Sequence, residues 1–423
     1  MLMEKLTAKQ LEKRGRKIEA PFLLQVKIAG VDKSISCKEI LRLIPGKRIV
    51  CCGEYGGQTI VIKLFIGKRF QHHYHRELTG CLAFKNSGFN TPELIVRHQA
   101  NKYALLIFHY LSDAESLQEQ WVKAESEQEM TDIVSHAIDQ IAAFHQKGIA
   151  QADFHLNNFL VANDKLYAID GGMVDVSRLE KGLSVPNKKA VYNLAMLFAQ
   201  FPPEQDEKID QYLALYRHLR KLNATDISLQ EIQKKLLQLR KWRERKYIRK
   251  KVLRNCSEFI CKQNWLQKVV YRRDQASSEF IALLNAPESY VEASLKSDIL
   301  KEGTSAIVLR VSIHDKVYVL KKYKRKNKLH SLLRSLKPTR AEVAWKNGCL
   351  LDFSGIPTPK PLALVEKRWG PFRQESYLIT EYIEGKHLWD FFHVAGQTEQ
   401  EVKDMLHKIK MLFTNFCRCR ISH

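Results

Sequence analysis

A pattern that occurs twice, in the same order, limits most severely what this chain can fold into. Ile40 to Phe65 (ILRLIPGKRIVCCGEYGGQTIVIKLF) reads as three short strands, with turns at Pro45-Gly46 and at Glu54 to Gly57. Asp298 to Tyr323 (DILKEGTSAIVLRVSIHDKVYVLKKY) repeats the arrangement, with turns at Gly303 and at His314-Asp315. Each run ends in a β-branched strand that delivers a lysine, Lys63 in VIKLF and Lys321 in VLKKY. Each is followed by a helical stretch and then by Ser87 to Pro92 (SGFNTP) or Ser354 to Pro359 (SGIPTP). Tyr103 to Tyr110 (YALLIFHY) and Tyr377 to Tyr382 (YLITEY) come next. Landmarks matched in one order imply a duplicated unit. A solenoid is excluded, because its period would be tens of residues and not hundreds.

Only the first copy runs on into a passage with evident chemistry. Gly148 to Gly172 (GIAQADFHLNNFLVANDKLYAIDGG) puts Asp153, Asn158 and Asp170 on two turns that flank the apolar runs FLVA and LYAI. Phosphoryl transfer needs one carboxylate to orient the acceptor hydroxyl. It also needs an amide oxygen and a second carboxylate to hold Mg²⁺ against the nucleotide phosphates. Asp, then Asn five positions on, a strand pair and Asp-Gly is that order. Turns favour Asp and Asn anyway, so the upstream residues decide the matter.

Lys63 is the candidate partner of the α- and β-phosphates of ATP. Glu77, in HHYHRELTGCLAF, is the candidate that holds it, on a helix whose apolar face is Leu78, Cys81, Leu82 and Phe84. Gly53, Gly56 and Gly57 lie too close to Lys63 to cradle phosphates and are assigned to a hairpin turn. The nucleotide-covering turn is then Leu43 to Arg48 (LIPGKR), which is not GxGxxG. Ile107 to Tyr110 is the expected hinge between lobes. His72, His73 and His75 beside Glu77 fit no zinc helix spacing and read as a solvated, basic helix start.

The 423 residues leave room for two or three domains, and a formal charge of +23 points to an anionic partner. Nucleic acid, an acidic membrane face and a polyanionic substrate all fit that charge. Lys234 to Arg254 (KKLLQLRKWRERKYIRKKVLR) concentrates it, with Glu244 as its acid and apolar residues at loosely helical spacing. Such a helix packs its stripe and turns its cations outward, where each contributes about 1 kcal/mol near an anionic leaflet. No nucleic-acid recognition fold accompanies the charge, so specific nucleic-acid binding is not expected. Nine cysteines without CxxC pairs at zinc spacing read as reduced, mostly buried thiols. No apolar stretch is long enough to span a bilayer, and MLMEKLTAKQLEKRGRK lacks the apolar segment of a signal peptide.

On these residues the chain resembles the lipopolysaccharide core kinases, the Kdo and heptose kinases, which are small relatives of protein kinases. The family pattern His-Gly-Asp-Leu-His-x-x-Asn-Phe-Leu is met as QADFHLNNFL, Gln151 to Leu160, and TRAEVAWKNGCLLDFSGIPTPKPLALVEKR is close to the family's helix and following strand. The resemblance implies an α+β, protein-kinase-like bilobal fold, with a β-rich N-lobe and a helical C-lobe, followed by a second, incomplete kinase-like unit. The expected divisions are a basic tail over 1–19, a first domain over 20–290 with its lobes meeting near 111, and a second over 291–423.

The resemblance also implies transfer of phosphate from ATP to a Kdo or heptose hydroxyl of the lipopolysaccharide inner core, at the cytoplasmic face of the inner membrane. Asp153 would be the base, Asn158 and Asp170 the Mg²⁺ ligands, and Lys63 and Glu77 the residues that position ATP. The basic helices would hold the anionic acceptor or leaflet. A pseudokinase scaffold and a kinase of another small molecule or protein are the alternatives. Three departures bear on them. Gln151 replaces the family histidine, so the bond that braces the loop must come from an amide. Asp170 is followed by Gly171-Gly172 and not by an apolar-acidic pair. In the second copy Ala344 falls at the Glu77 position with Glu342 two residues away, and His423 falls where a second catalytic loop is expected, as in a shortened two-kinase chain.

Overall fold

The computed structural model describes residues 3–324, 335–385, 387–393 and 396–419. Residues 420–423, on which the expected break at a second catalytic loop turns, lie outside that range. The chain forms two compact units, one of residues 1–200 and 207–236, the other of residues 201–206 and 237–423.

The first unit opens with β1 (Glu4–Thr7), α1 (Ala8–Arg14), β2 (Phe22–Ile28), β3 (Val31–Ile44), β4 (Arg48–Tyr55) and β5 (Gln58–Phe65), followed by α2 (Phe70–Asn86), β6 (Leu94–Gln99) and β7 (Ala104–His109). The strands make one seven-stranded sheet in the order β1-β2-β3-β4-β5-β7-β6. Alternation along β5 decides what each face carries. Ile60, Ile62 and Leu64 join Leu105 and Ile107 in a core on one side, while Phe65 packs with Phe70, Tyr74 and Cys81 of α2 on the other. Lys63 belongs to the α2 face.

Over 1–19, expected as a basic tail, the described residues are ordered elements: β1 pairs with β2 at the edge of this sheet and α1 follows it. Thr7 and Gln10 cap α1 reciprocally, and Leu6, Leu11 and Ile18 are buried in the core of the sheet. The short, charged sequence hid them because only its widely spaced apolar residues face inward. Gly56 and Gly57 do form the β4–β5 turn, both with positive φ (59° and 77°). Gly53 instead lies within β4, opposite the irregular register of β3, where a Cβ would stand 1.8 Å from the Ser36 carbonyl oxygen.

The helical half of this unit comprises β8 (Glu115–Ser116), α3 (Leu117–Lys123), α4 (Glu127–Gln146), β9 (Ala150–Gln151), β10 (Phe159–Ala162), β11 (Lys165–Ala168), β12 (Val174–Asp175), α5 (Asn187–Phe198), α6 (Ile209–Arg220) and the start of α7 (Leu229–Tyr247). Phe144 of α4 stacks on Phe84 of α2 at 4.9 Å between ring centroids and meets Phe89 edge-on at 4.6 Å, so the two lobes share an aromatic seam.

The second unit contains the end of α7, β13 (Phe259–Gln263), β14 (Gln267–Arg272), α8 (Ser278–Asn285), α9 (Pro287–Glu292), β15 (Ile299–Glu302), β16 (Ala306–Ile313), β17 (Lys316–Tyr323), α10 (Arg340–Phe353), β18 (Pro361–Trp369), β19 (Phe372–Glu381), α11 (Leu388–His393) and α12 (Glu399–Cys419). Its sheet runs β13-β14-β18-β19-β17-β16-β15. The boundary therefore lies near residue 236 and not near 290, because β14 pairs with β18 from Gln267↔Lys367 to Tyr271↔Ala363. Tyr247, Val252 and Phe259 also pack around Trp345, whose Nε1 donates to the Val252 carbonyl at 2.9 Å. The β13–β14 hairpin lies within the span 20–290 expected as the first domain, yet belongs to this second sheet. Among the described residues, no helix is long and apolar enough to cross a membrane.

Candidate active site

A tight hairpin brings the key residues of the catalytic passage to one place. The β10–β11 hairpin turns at Asn163 and Asp164, both left-handed (φ 48° and 57°), as a tight two-residue turn requires. It returns the chain so that the Ile169 N–H donates to the Asn158 carbonyl at 2.9 Å. Asn158 and Asp170 consequently line the same cavity, of about 430 Å³. Its other walls include Leu41, Val50, Val61 and Phe108 from the sheet, and Leu160 and Ile169 from the hairpin.

At the polar end, Lys63 is ion-paired with Glu77, which is fully buried, and its Nζ lies 3.8 Å from the Asp170 carboxylate. Burial alone would lower the Lys63 pKa, but Glu77 and Asp170 outweigh it and keep the ammonium charged. For Asp170, burial would raise the pKa, and the charges of Lys63, Arg48 and Arg42 reverse that and hold it well below the usual carboxylate range. The structure brings Lys63, Glu77, Asn158 and Asp170 together.

Asp153 stands at the margin. Its backbone carbonyl accepts from Asn158 Nδ2 at 2.9 Å, but the partly exposed residue is not part of the cavity wall. With its nitrogen so engaged, Asn158 has its side-chain oxygen left for a cation. Asn158 and an ionised Asp170 on one wall are a donor set suited to Mg²⁺. The apolar walls beside the cationic end suit a nucleotide.

Gln151 supplies the brace expected of an amide: its Nε2 donates to the Asp170 carbonyl at 3.2 Å. A chain of hydrogen bonds, buried from Tyr216 inward, stands behind it. Arg220 donates to the Tyr216 hydroxyl at 2.7 Å, and Tyr216 meets His145 Nδ1 at 2.7 Å. His145 Nε2 meets Asn193 Oδ1 at 3.0 Å, and Asn193 Nδ2 donates to the Gln151 carbonyl at 2.8 Å. Burial, offset only in part by Asn193, pushes the His145 pKa down to about 3, so the ring is neutral with its proton on Nε2.

The two glycines after Asp170 have a steric cause. Helix α2 lies directly on this turn: a Cβ on Gly80 would be 2.1 Å from the Gly171 carbonyl oxygen. One on Gly171 would be 2.6 Å from the Cys81 nitrogen, and one on Gly172 would be 2.8 Å from Glu77 Oε2. Close backbone approach thus fixes Glu77 against the Asp170–Gly172 turn.

Sequence reasoning missed Arg48 and Arg42. Arg48 Nη1 donates to Glu77 at 3.0 Å and to Asp170 at 3.1 Å, and Arg42 Nη1 lies 3.4 Å from Asp170. The signal for Arg48 was the basic end of the LIPGKR turn, and for Arg42 a lone arginine on the preceding strand. Asn193 gave no signal, since an asparagine in a helix is unremarkable.

A family model, the lipopolysaccharide kinase (Kdo/WaaP) family, matches residues 71–218 and 293–423. No curated protein matches the chain in sequence. Among solved structures, WaaP in complex with acyl carrier protein is similar at 17% identity and a TM-score of 0.35, over 49% of this chain and 86% of that chain. The two family segments together span more than half of the residues, and the chain belongs to the lipopolysaccharide kinase (Kdo/WaaP) family.

Proposed function

We propose that this kinase transfers the γ-phosphate of ATP, with Mg²⁺, to a Kdo or heptose hydroxyl of the lipopolysaccharide inner core. The observation that carries the reading is the convergence of Lys63, Asn158 and Asp170 on one cavity with apolar walls, with Lys63 held there by the buried Glu77. Bound Mg-ATP supplies an electrophilic phosphorus whose developing charge must be neutralised. Lys63, held by Glu77, positions the phosphates, while Asn158 and Asp170 hold the cation. Asp153 orients the acceptor hydroxyl and takes its proton.

The acceptor is anionic, and the chain carries matching charge. Arg245, Lys246, Arg249, Lys250, Lys251 and Arg254 are exposed at the end of α7 and just beyond it, with Lys246 over the Trp242 ring at 4.3 Å. We assign them to the leaflet or to the phosphorylated core at the cytoplasmic face of the inner membrane.

The test is transfer of label from [γ-³²P]ATP to purified lipid A-core, with free sugars and aminoglycosides as competing acceptors. Label in the lipid fraction, lost with Asp153→Ala, is the expected result. Label only in the other acceptors would overturn the assignment of substrate.

A further inference from the structure

The turn over the cavity does not offer phosphates what a glycine-rich loop offers. Such loops meet phosphate oxygens with backbone N–H groups. Here Pro45 has no N–H, and the Lys47 N–H is committed to the Ile44 carbonyl at 3.1 Å. What the flanking strands do turn into the cavity are two guanidinium groups. Arg42 is on β3 and pairs across to Val50, while Arg48 opens β4 and pairs across to Ile44. Both line the cavity. With Lys63 they set three cations around Glu77 and Asp170, so the site carries an excess of positive charge. Arg48 Nε is buried without an acceptor, a donor that an incoming anion can satisfy. Nearby Lys47 has its pKa lowered by burial and by Arg48, Arg76 and Arg42, a further sign of crowded positive charge.

We propose that Arg42 and Arg48 are the phosphate clamp of this kinase, and that nucleotide and divalent cation bind by exchanging the Arg–Asp170 ion pairs. The inference rests on the ATP reading above. Without ligands, both arginines hold Asp170, the carboxylate needed for the cation. Polyphosphate oxygens draw the guanidinium groups away, since their planar forks match phosphate well. The released Asp170 carboxylate, with the Asn158 oxygen, then accepts the cation. Each ligand therefore tightens the other, as linkage requires.

The full chain is titrated with adenylyl imidodiphosphate in EDTA, with Mn²⁺ alone followed by the spin-resonance signal of the free ion, and with both. The wild type should bind the nucleotide without metal, bind Mn²⁺ alone weakly, and show mutual tightening of about tenfold or more. Arg48→Gln should weaken metal-free nucleotide binding by about tenfold, the scale of a lost charge-assisted bond, yet bind Mn²⁺ alone more tightly than the wild type. Arg42→Gln, at a half-exposed side chain (54%), should shift both in the same directions by about threefold. Misfolding cannot weaken one ligand and strengthen the other, and Arg42→Gln carries the test should Arg48→Gln not fold. Variants that bind nucleotide as the wild type does, or that gain no Mn²⁺ affinity, overturn the clamp alone. A wild type that binds no nucleotide under any condition overturns the ATP reading and the clamp together.

Discussion

The two sheets of this chain share a five-stranded order, β3-β4-β5-β7-β6 in the first unit and β15-β16-β17-β19-β18 in the second, and they differ at opposite edges. The first is extended beyond β3 by β2 and β1, the second beyond β18 by β14 and β13. The addition to the second sheet changes what its helix glutamate does. Lys268 of β14 reaches Glu342 at 3.3 Å, and Lys346 and Arg373 close around the same carboxylate. Lys321 occupies the place of Lys63, paired across to Leu378 as Lys63 is to Leu106. Among the described residues it makes no ion pair, and its Nζ sits over the Tyr323 ring at 5.1 Å. Ala344 stands where α2 has Glu77. The same scaffold thus builds a lysine–glutamate pair beside a cavity in one copy, which we assign to phosphate binding, and a buried charge cluster in the other. Which strand supplies the lysine decides between them.

Exchanging the roles of the two lysines is the hardest test of that contrast. Lys63→Ala and Asp170→Asn should each lower kcat/KM for label transfer by about 10³-fold, about 4 kcal/mol of transition-state stabilisation, whereas Lys321→Ala should leave it unchanged. Loss of turnover in Lys321→Ala with none in Lys63→Ala would reverse the assignment of the active copy.

Glu342→Ala should cost the second unit about 3–5 kcal/mol in chemical denaturation, because buried Lys268 loses its partner. Nucleotide affinity should not follow. If it falls as much as in Glu77→Gln, the charge cluster is not merely structural.

Gly80→Ala separates the helices by packing. Its Cβ would meet the Gly171 carbonyl oxygen at 2.1 Å, so α2 must shift, lowering stability by about 1–3 kcal/mol and turnover with it. In α10 the nearest neighbour of a Cβ on Gly348 is the Pro361 ring at 3.3 Å, and Gly348→Ala should cost under about 1 kcal/mol. Equal melting shifts would remove the distinction.

A further test is a slope. His145 has its folded pKa depressed to about 3 from 6.5, so between those values the unfolded chain holds the extra proton. Its contribution to stability is full above pH 6.5 and falls by about 1.4 kcal/mol per unit as the pH drops towards 3. His145→Gln should be less stable at pH 7 and show a shallower decline from pH 6 to 4. Parallel curves would mean that this histidine is not what senses acid.

What could be read early was whatever rests on short-range spacing. Asp153, Asn158 and Asp170 follow from a loop, a hairpin and a turn within one passage, and Lys63 and Glu77 from a strand and the helix after it. Periods of two and 3.6 residues and the chemistry of tight turns are local, so one sequence displays them. The kinase-like order of strands and helix was legible for the same reason.

The tertiary structure decided the rest. No local rule sends Arg48 to Glu77 and Asp170, 29 and 122 residues away, or sets Asn193 behind Gln151 at a separation of 42. Nor does one lay α2 on Gly171 or carry β14 to β18. Those choices depend on which surfaces remain to be buried once the elements exist. Burial is a property of the packed chain, where non-directional apolar forces choose the neighbours and leave the polar groups to find partners there.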